Sequence, residues 1–432
     1  MDYSQFKTVK FSCISSCDFT SLRIGDKITF SLLLTGDGEP ISASYVWYEL
    51  RDDGGNRTEG FLCGKTGLVS VTAEAKAVGF LRLRAEPCDE AKKRITGTNI
   101  TPFIGGALVE AELCNTVMPE PADFDKFWKE RLSAIDNVSP ELISAEERRS
   151  DNPAFRVFSI KVKCPDSPCG SYAAGTLTYP VGAEKGSLDL RIGFIGYGTH
   201  SSDPMYSPGA VSLKVCAHAM EQYREQEYYS SLGLANYGLP AADHEKPENS
   251  YFVGMVLRDV QMLRFLKKYF GQSEINADKS APACEWKGLW NEKCIIASGG
   301  SQGAFQALAV TALEPDRVKR CYIMYPWLAG VSSVTDKNRI GSTFLPVFTP
   351  GLLYFDSVYF AARIKAQLSI LTGTADTLCL PASMQALYNA ANVPAKIRYV
   401  QTMVHGCYGK VPFDVEVSVK EKNFFPPLEA WG

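Results

Sequence analysis

Several features are scarce or absent in this sequence. Its 432 residues include only four histidines, and no apolar run approaches the roughly 20 residues that a membrane-spanning helix needs. The net charge of −3 is small and no basic stripe runs along the chain, so neither nucleic acid nor a membrane is expected as a partner.

The 13 cysteines form no C-x-x-C pair, and no histidine lies near the closest pairs, Cys13 with Cys17 and Cys164 with Cys169. Reduced buried thiols are therefore expected rather than a zinc site.

The length and the first residues set broader expectations. A chain of 432 residues is longer than one ordinary domain, which predicts two domains. The opening segment, MDYSQFKTVK, contains no apolar signal region. A cytoplasmic location is therefore expected for the chain as given, or a secreted or periplasmic one if a signal has been trimmed.

Residues 1–117 are predicted to form a small all-β domain, an immunoglobulin-like sandwich. Short β-rich runs at 28–34, 45–50, 68–73 and 80–84 are separated by turn residues. Repeated short strands with such turns are typical of a sandwich. Because this region has no histidine and no catalytic constellation, we expect an accessory domain, with sugar binding as the alternative.

Residues 118–432 predict an α/β domain with a mostly parallel sheet. The change comes at Met118-Pro119-Glu120-Pro121, and residues 123–134 follow with apolar side chains at helical spacing. Beyond them, strand-like and helix-like runs alternate, which indicates a parallel sheet covered on both faces. The predicted strands are 191–195, 294–297, 322–325, 368–371 and 396–400, and the predicted helices are 255–269, 305–313 and 382–391.

A G-x-S-x-G motif stands between a predicted strand and a predicted helix. It reads Gly299-Gly300-Ser301-Gln302-Gly303. In α/β hydrolases this pattern forms a sharp turn that holds a nucleophilic serine above the sheet. The glycines are explained because neighbouring positions must be nearly free of side chains for the turn to close. Ser301 is therefore predicted to be a nucleophile, and a glycine-rich loop is the alternative.

The histidine that would activate this serine can be chosen by chain order. In α/β hydrolases the nucleophile, the acid and the histidine follow in that order. His200, His218 and His244 all precede Ser301, and only His405 follows it. His405 also comes shortly after the predicted strand 396–400, as a loop residue at a strand end should.

The acid should lie between Ser301 and His405, directly after a strand. Asp376 follows the apolar run 368–371 and a turn of small residues, whereas Asp336 and Asp356 follow no comparable strand. Asp376 is therefore the predicted acid of a Ser-His-Asp triad, and its alternative role is to cap the helix that begins near residue 381.

Other residues are candidates for binding the substrate. The backbone N–H groups of Gln302 and of Tyr197, in the glycine-rich segment 193–198, are predicted to form an oxyanion hole. Tyr325-Pro326-Trp327 follows a predicted strand and is either an acyl-pocket wall or a packed aromatic segment. His200 is either a substrate contact or a solvated loop residue.

The second domain resembles the acetyl xylan esterase and cephalosporin C deacetylase family of α/β hydrolases. The resemblance is carried by segments in the family's order, namely 121–128 (P-x-D-F-D-x-F-W), 299–303 (GGSQG), 354–364 (YFD…NFAxRI), 376–389 (D…P-x-S…YN) and His405-Gly406. Residues 251–255 and Trp286 resemble members that carry an N-terminal β-domain. Residues 198–239 depart from the family's D-x-R-G-Q-G pattern and carry Tyr223, Tyr228 and Tyr229 instead, which leaves the alcohol specificity open.

This resemblance implies a serine esterase that removes small acyl groups, chiefly acetyl, from sugars or similar alcohols. It implies Ser301, Asp376 and His405 as the triad, Tyr197 and Gln302 as the oxyanion hole, and neither a metal nor an organic cofactor. The expected partner is a small-molecule or oligosaccharide acetyl ester, and a homo-oligomer is in keeping with the family. A peptidase or thioesterase on the same fold, or a catalytically silent binding protein, remains as an alternative.

Overall fold

The structure is a computed structural model that describes residues 2–15, 18–166, 170–232, 238–272, 281–406 and 417–423. The strands are β1 (Val9–Cys13), β2 (Lys27–Gly36), β3 (Glu39–Pro40), β4 (Tyr45–Asp52), β5 (Arg57–Cys63), β6 (Leu68–Glu74), β7 (Gly79–Cys88), β8 (Ile100–Thr101), β9 (Phe103–Val109), β10 (Leu142–Arg148), β11 (Phe155–Lys163), β12 (Tyr172–Pro180), β13 (Leu188–Phe194), β14 (Ala210–Cys216), β15 (Trp290–Gly300), β16 (Val318–Met324), β17 (Gln367–Gly373), β18 (Ala395–Val400) and β19 (Val417–Lys422).

The α-helices are α1 (Phe124–Asp136), α2 (Gln226–Ser231), α3 (Tyr251–Phe270), α4 (Ala281–Trp286), α5 (Gln302–Leu313), α6 (Ser357–Ala361) and α7 (Pro381–Ala390). Short 3₁₀ helices occupy Tyr3–Gln5, Ala111–Leu113, Ala241–Asp243, Pro247–Asn249, Val331–Thr335 and Pro350–Phe355. None of the helices in the described ranges is both long enough and apolar enough to cross a membrane.

The strands before residue 110 form two sheets. One has the order β3-β2-β1-β8 with β6 also paired to β2, and the other has the order β5-β4-β7-β9. All of their ladders are antiparallel except the short β1–β8 pair. Strand β6 alternates strictly between exposed and buried residues, as a strand with one face on a core should. The predicted all-β fold of this region is confirmed, while its boundary at residue 117 and its immunoglobulin-like topology stay predictions.

A larger sheet follows, and it confirms the predicted α/β fold. Within the described residues its order is β10-β11-β12-β14-β13-β15-β16-β17-β18-β19. The pairs from β14 through β18 are parallel. The sheet is extended by antiparallel strands at both sides, β10, β11 and β12 at one edge and β19 at the other. These antiparallel strands were not predicted from the sequence.

Helix α1 links two segments that carry the family resemblance. Its residues Phe124, Phe127 and Trp128 are buried, and the Trp128 Nε1–H donates a hydrogen bond of 3.0 Å to the Tyr354 backbone oxygen. The Phe124 ring packs edge-to-face on Phe360, with 5.3 Å between the ring centroids. The segments near 121–128 and 354–364 therefore pack against each other.

The parallel strands bring five loops to one edge of the large sheet. Strands β13, β15, β16, β17 and β18 run in the same direction, so the loops that follow them leave the sheet at the same edge. In open α/β sheets this carboxyl edge is where ligands bind. Candidate residues follow each of these strands, namely Tyr197, Ser301, Tyr325, Asp376 and His405.

The turn at Ser301 occupies a single residue between strand and helix. Strand β15 ends at Gly300 and α5 begins at Gln302, so Ser301 alone makes the reversal, with φ 56° and ψ −123°. A positive φ is unfavourable for a residue with a Cβ atom, and such strain is typical of functional sites. The Ser301 N–H donates to the Met324 backbone oxygen at 3.0 Å and its own carbonyl accepts from Trp327 N–H at 3.0 Å. These bonds to the neighbouring strand end hold the strained residue in place.

Two of the three glycines at this turn are required by close backbone contacts. A Cβ atom on Gly299 would lie 2.2 Å from the Gly303 backbone oxygen, and one on Gly303 would lie 2.3 Å from the Phe194 backbone oxygen. Side chains there would force the helix away from β13 and β15. Gly300 differs because its Cβ would meet no atom closer than 3.6 Å, so the sequence expectation holds for Gly299 and Gly303 only.

We therefore predict that Gly303→Ala lowers the free energy of unfolding by about 1 to 3 kcal/mol, the usual cost of inserting a methyl group into filled space. The matched control is Gly341→Ala, because a Cβ there would meet no atom within 4 Å. Urea denaturation of both variants checks the prediction. Equal stability of Gly303→Ala and the unmodified chain would contradict the close packing of α5 on β13.

Candidate active site

Three side chains from separate loops meet at the carboxyl edge of the large sheet. His405 Nε2 lies 3.0 Å from Ser301 Oγ, and His405 Nδ1 lies 2.9 Å from Asp376 Oδ2. A neutral imidazole with its proton on Nδ1 satisfies both bonds, because Nδ1–H donates to the carboxylate and Nε2 accepts from the hydroxyl. The structure thus brings together the residues predicted as nucleophile, acid and base. Their catalytic roles are a matter of the proposal below.

The exposure of these groups falls from the histidine to the acid. The His405 side chain is 20% exposed, the Asp376 side chain is 0% exposed and Ser301 is 8% exposed. Part of the imidazole is therefore open to solvent, whereas Ser301 is nearly buried and the carboxylate is screened from water.

The second oxygen of Asp376 holds a tight turn. Asp376 Oδ1 accepts N–H bonds from Leu378 at 2.8 Å and from Cys379 at 2.9 Å. These bonds leave Oδ2 for His405 and fix the plane of the carboxylate. Helix α7 begins at Pro381 with Leu380 as its N-cap residue, so Asp376 does not cap that helix.

The other two aspartates between Ser301 and His405 have different partners. Asp356 is buried and accepts the N–H groups of Gly330, Val331 and Val358. Burial raises the pKa of Asp356 to about 6, although these three bonds oppose the shift. Asp336 pairs with Arg339 at the surface. Neither carboxylate is hydrogen-bonded to His405 in the described part of the chain.

Asp376, Cys379 and His405 also form a cluster with metal-ligating atoms. One such atom from each lies within 4.8 Å of the others. Burial, and to a lesser degree the charge of Asp376, raise the pKa of the Cys379 thiol well above its ordinary value, and a protonated thiol is a poor metal ligand. The two His405 nitrogens are already directed at Asp376 and Ser301. This donor set fits a hydrogen-bonded triad better than a metal site.

The two predicted oxyanion donors lie on adjacent elements. Gln302 is the first residue of α5, and the first N–H groups of a helix have no partner within the helix. Tyr197 follows β13, whose residue Phe194 is opposite Gly299 in the parallel β13–β15 ladder. The Tyr197 ring packs on Trp327 and Phe344, with centroids 5.7 and 5.1 Å away. Both residues therefore border the turn at Ser301, and their role as donors stays a prediction.

The residues predicted for the pocket occupy different environments. The Tyr325 ring is fully buried and its centroid lies 4.7 Å from that of His405. Trp327 is 1% exposed, stacks on Phe344 and donates its indole N–H to the Phe344 backbone oxygen at 2.9 Å. Trp327 thus packs as a buried aromatic, and Pro326 lies between it and Tyr325. Their role as an acyl-pocket wall stays a prediction. His200 is exposed, with Nδ1 2.9 Å from the Ser201 backbone oxygen.

The two remaining histidines are core residues. His244 bonds with Ser250 Oγ and with the Gly238 backbone oxygen. His218 bonds with the Tyr251 hydroxyl, and burial followed by the positive charge of Arg258 lowers the pKa of His218 to about 3. Burial also lowers the pKa of His244, and both rings are built into the fold.

One group of residues at the site was missed by the sequence analysis. Gln401 and Thr374 are buried beside the loops that carry His405 and Asp376, and Gln401 bonds with Gly106. No sequence signal could have found this contact, because Gly106 and Gln401 are 295 positions apart.

Comparisons with known proteins agree with this architecture. The family model for acetyl xylan esterase (AXE1) matches residues 108–349 and 345–417. Acetyl esterase Axe7A of Xylanibacter ruminicola is 26% identical over 297 residues, which are 66% of this chain and 63% of that protein. The chain thus spans less than two thirds of the length of this curated relative.

Two solved structures share the fold over about two thirds of this chain. Acetyl xylan esterase 1 from Thermoanaerobacterium sp. JW/SL YS485 has a TM-score of 0.54 and 19% identity, covering 69% of this chain and 93% of that one. Acetyl xylan esterase from Paenibacillus sp. R4 has a TM-score of 0.53 and 18% identity, covering 68% and 93%. Since the family model matches well over half of the 432 residues, the chain belongs to the acetyl xylan esterase family.

Proposed function

We propose that the protein is a serine carboxylester hydrolase that removes acetyl groups from acetylated carbohydrates or similar small alcohols. The observation that carries this proposal is the hydrogen-bonded series Ser301–His405–Asp376 at the strained turn after β15. Membership of the acetyl xylan esterase family and the similarity to an acetyl esterase favour acetyl as the acyl group.

The first half-reaction transfers the acetyl group to Ser301. His405 Nε2 takes the hydroxyl proton as Ser301 Oγ attacks the ester carbonyl. The imidazolium then donates that proton to the departing alcohol oxygen. The Asp376 carboxylate keeps the ring in the tautomer that can accept at Nε2, and it stabilises the imidazolium by its charge. Because its second oxygen is tied to the Leu378 and Cys379 N–H groups, the carboxylate does not need to reorient during this step.

The second half-reaction repeats the proton transfers with water. His405 deprotonates the water, which attacks the acetyl-enzyme carbonyl and releases acetate and Ser301. In both halves the negative charge develops on the former carbonyl oxygen. The N–H groups of Gln302 and Tyr197 are assigned to that oxygen, and one such donor is typically worth about 3 to 4 kcal/mol of the barrier.

Replacement of the nucleophile tests the mechanism directly. Ser301→Ala is expected to lower kcat for p-nitrophenyl acetate by about 10⁶-fold, the loss seen when a serine nucleophile is removed. It should also abolish labelling by a fluorophosphonate probe. The control is Ser298→Ala on the same strand, which should stay within a few-fold of the unmodified chain. Probe labelling of Ser301→Ala at the original rate would contradict Ser301 as the nucleophile.

The choice of acid can be tested by a change of one atom. Asp376→Asn is expected to lower kcat by about 10⁴-fold, because an amide that donates to Nδ1 stabilises the wrong tautomer. Asp336→Asn is the matched control, since Asp336 pairs with Arg339 away from His405, and its kcat should be unchanged. If Asp336→Asn were the inactive variant instead, the assignment of Asp376 would be wrong.

The size of the acyl group tests the esterase class. The value of kcat/KM should fall from p-nitrophenyl acetate to the butyrate and the octanoate, because each methylene beyond the pocket's limit is disfavoured by roughly 1 to 3 kcal/mol. Equal values for acetate and octanoate would contradict a deacetylase. Cleavage of aminoacyl amides without cleavage of esters would indicate a peptidase. Acetylated xylan, acetylated oligosaccharides and cephalosporin-type acetates then serve to identify the alcohol.

A further inference from the structure

The edge strand β9 is continued by a side chain from the second half of the protein. β9 is the last strand of its sheet, so alternate residues direct their N–H and C=O groups away from β7. At Gly106 these groups meet the Gln401 amide, because Gly106 N–H donates to Gln401 Oε1 at 3.0 Å and Gln401 Nε2 donates to the Gly106 oxygen at 3.0 Å. The amide thus pairs with β9 as a residue of an added strand would.

The same amide reaches the loops of the acid and the histidine. The Thr374 hydroxyl donates to Gln401 Oε1, and Thr374 Oγ1 accepts the Thr402 N–H at 3.1 Å. Thr374 lies two residues before Asp376, and Gln401 lies four residues before His405. Two backbone bonds join the loops as well, from Thr374 N–H to the Val400 oxygen at 3.1 Å and from Ala375 N–H to the Met403 oxygen at 3.2 Å.

The Gln401 amide is buried and lies close to the backbone of β9. Gln401 is 2% exposed and Thr374 is 3% exposed. A Cβ atom on Gly105 would lie 2.7 Å from Gln401 Oε1, so the glycine at that position makes room for the side chain. Because Gly106 offers one donor and one acceptor, only one orientation of the amide satisfies both, and a buried amide without these partners would be costly.

We propose that Gln401 is a positioning residue through which the edge strand β9 sets the geometry of the Asp376–His405 pair relative to Ser301. The inference rests on the proposed esterase function and assigns part of that function to the predicted first domain, residues 1–117. They act by fixing the two loops of the triad, since the Gln401–Thr374–Thr402 bonds tie both loops to a sheet that lies outside the hydrolase fold.

A second link between the same two regions provides a matched control. Asn389 Nδ2 donates to the backbone oxygens of Ala111 at 2.9 Å and of Cys114 at 3.0 Å. Asn389 lies near the end of α7, whereas the Asp376 turn precedes the start of that helix. It therefore makes two comparable bonds to the first region without contacting either triad loop.

The experiment compares Gln401→Met with Asn389→Leu in the full chain. Each change keeps the approximate shape of the side chain and removes both bonds to the first region. With p-nitrophenyl acetate well below the unfolding temperature, Gln401→Met should lower kcat by about 10- to 100-fold, since small misplacements of catalytic groups cost this much, with KM within about twofold. Asn389→Leu should keep both constants, while thermal unfolding measures the stability that each variant loses.

The outcomes separate the two proposals. Unchanged kcat in Gln401→Met, or an equal fall in both variants, would overturn the positioning role and leave the esterase function standing. An unmodified chain that neither hydrolyses p-nitrophenyl acetate nor reacts with a fluorophosphonate would overturn both.

If circular dichroism shows that Gln401→Met does not fold, the variant Thr374→Val provides the test, because it removes only the hydroxyl between Gln401 and Thr402. A fall in its kcat at constant KM supports the role, and unchanged kcat overturns it.

Discussion

The geometry of the candidate active site depends on one imidazole ring, which must keep two hydrogen bonds at the same time. His405 lies between a carboxylate at 2.9 Å and a hydroxyl at 3.0 Å, and the three groups come from loops after three different strands. Hydrogen bonds of this length tolerate shifts of only a few tenths of an ångström. Three features restrict such shifts. They are the strained turn at Ser301, the N–H groups that bind Asp376 and the buried Gln401 amide beside both loops.

The backbone of the sheet provides the first part of this positioning. Parallel strands place the ends of β15, β17 and β18 at one edge, but they leave each loop free to adopt its own path. Close packing then restricts those paths, because a side chain on Gly373 would overlap the Met403 backbone oxygen. The site is therefore built from contacts between loops as much as from the strands beneath them, which is typical of sites that need fixed groups rather than flexible ones.

The sequence predicted the parts of this site that have a local signal. Ser301 lies in a motif whose strand and helix are adjacent in the chain, Asp376 follows a buried strand, and His405 is the only histidine late enough. The bounds of α5, β17 and β18 agree with prediction to within a few residues. Strands β10, β11 and β12 were not predicted, although β11 alternates apolar and polar residues over most of its length. Their place at the edge of the sheet is set by tertiary pairing, which no local pattern reveals. The stacking of Trp327 on Phe344 was likewise not predicted, because no local pattern reveals the position of Phe344.

The bond between Gly106 and Gln401 also orders events during synthesis. A ribosome that adds about 5 to 20 residues per second needs roughly 15 to 60 s to extend from one partner to the other, given the 295 positions between them. Throughout that interval the Gly106 N–H and C=O groups lack the amide that they bond in the finished protein, although the neighbouring Leu108 N–H can already donate to the Phe19 oxygen. Unpaired groups on an edge strand are the kind that recruit other chains. The adjacent glycines Gly105 and Gly106 weaken the tendency of β9 to pair. The glycine that makes room for the amide in the finished protein, Gly105, therefore lies in the part of β9 that is least inclined to pair before Gln401 is made.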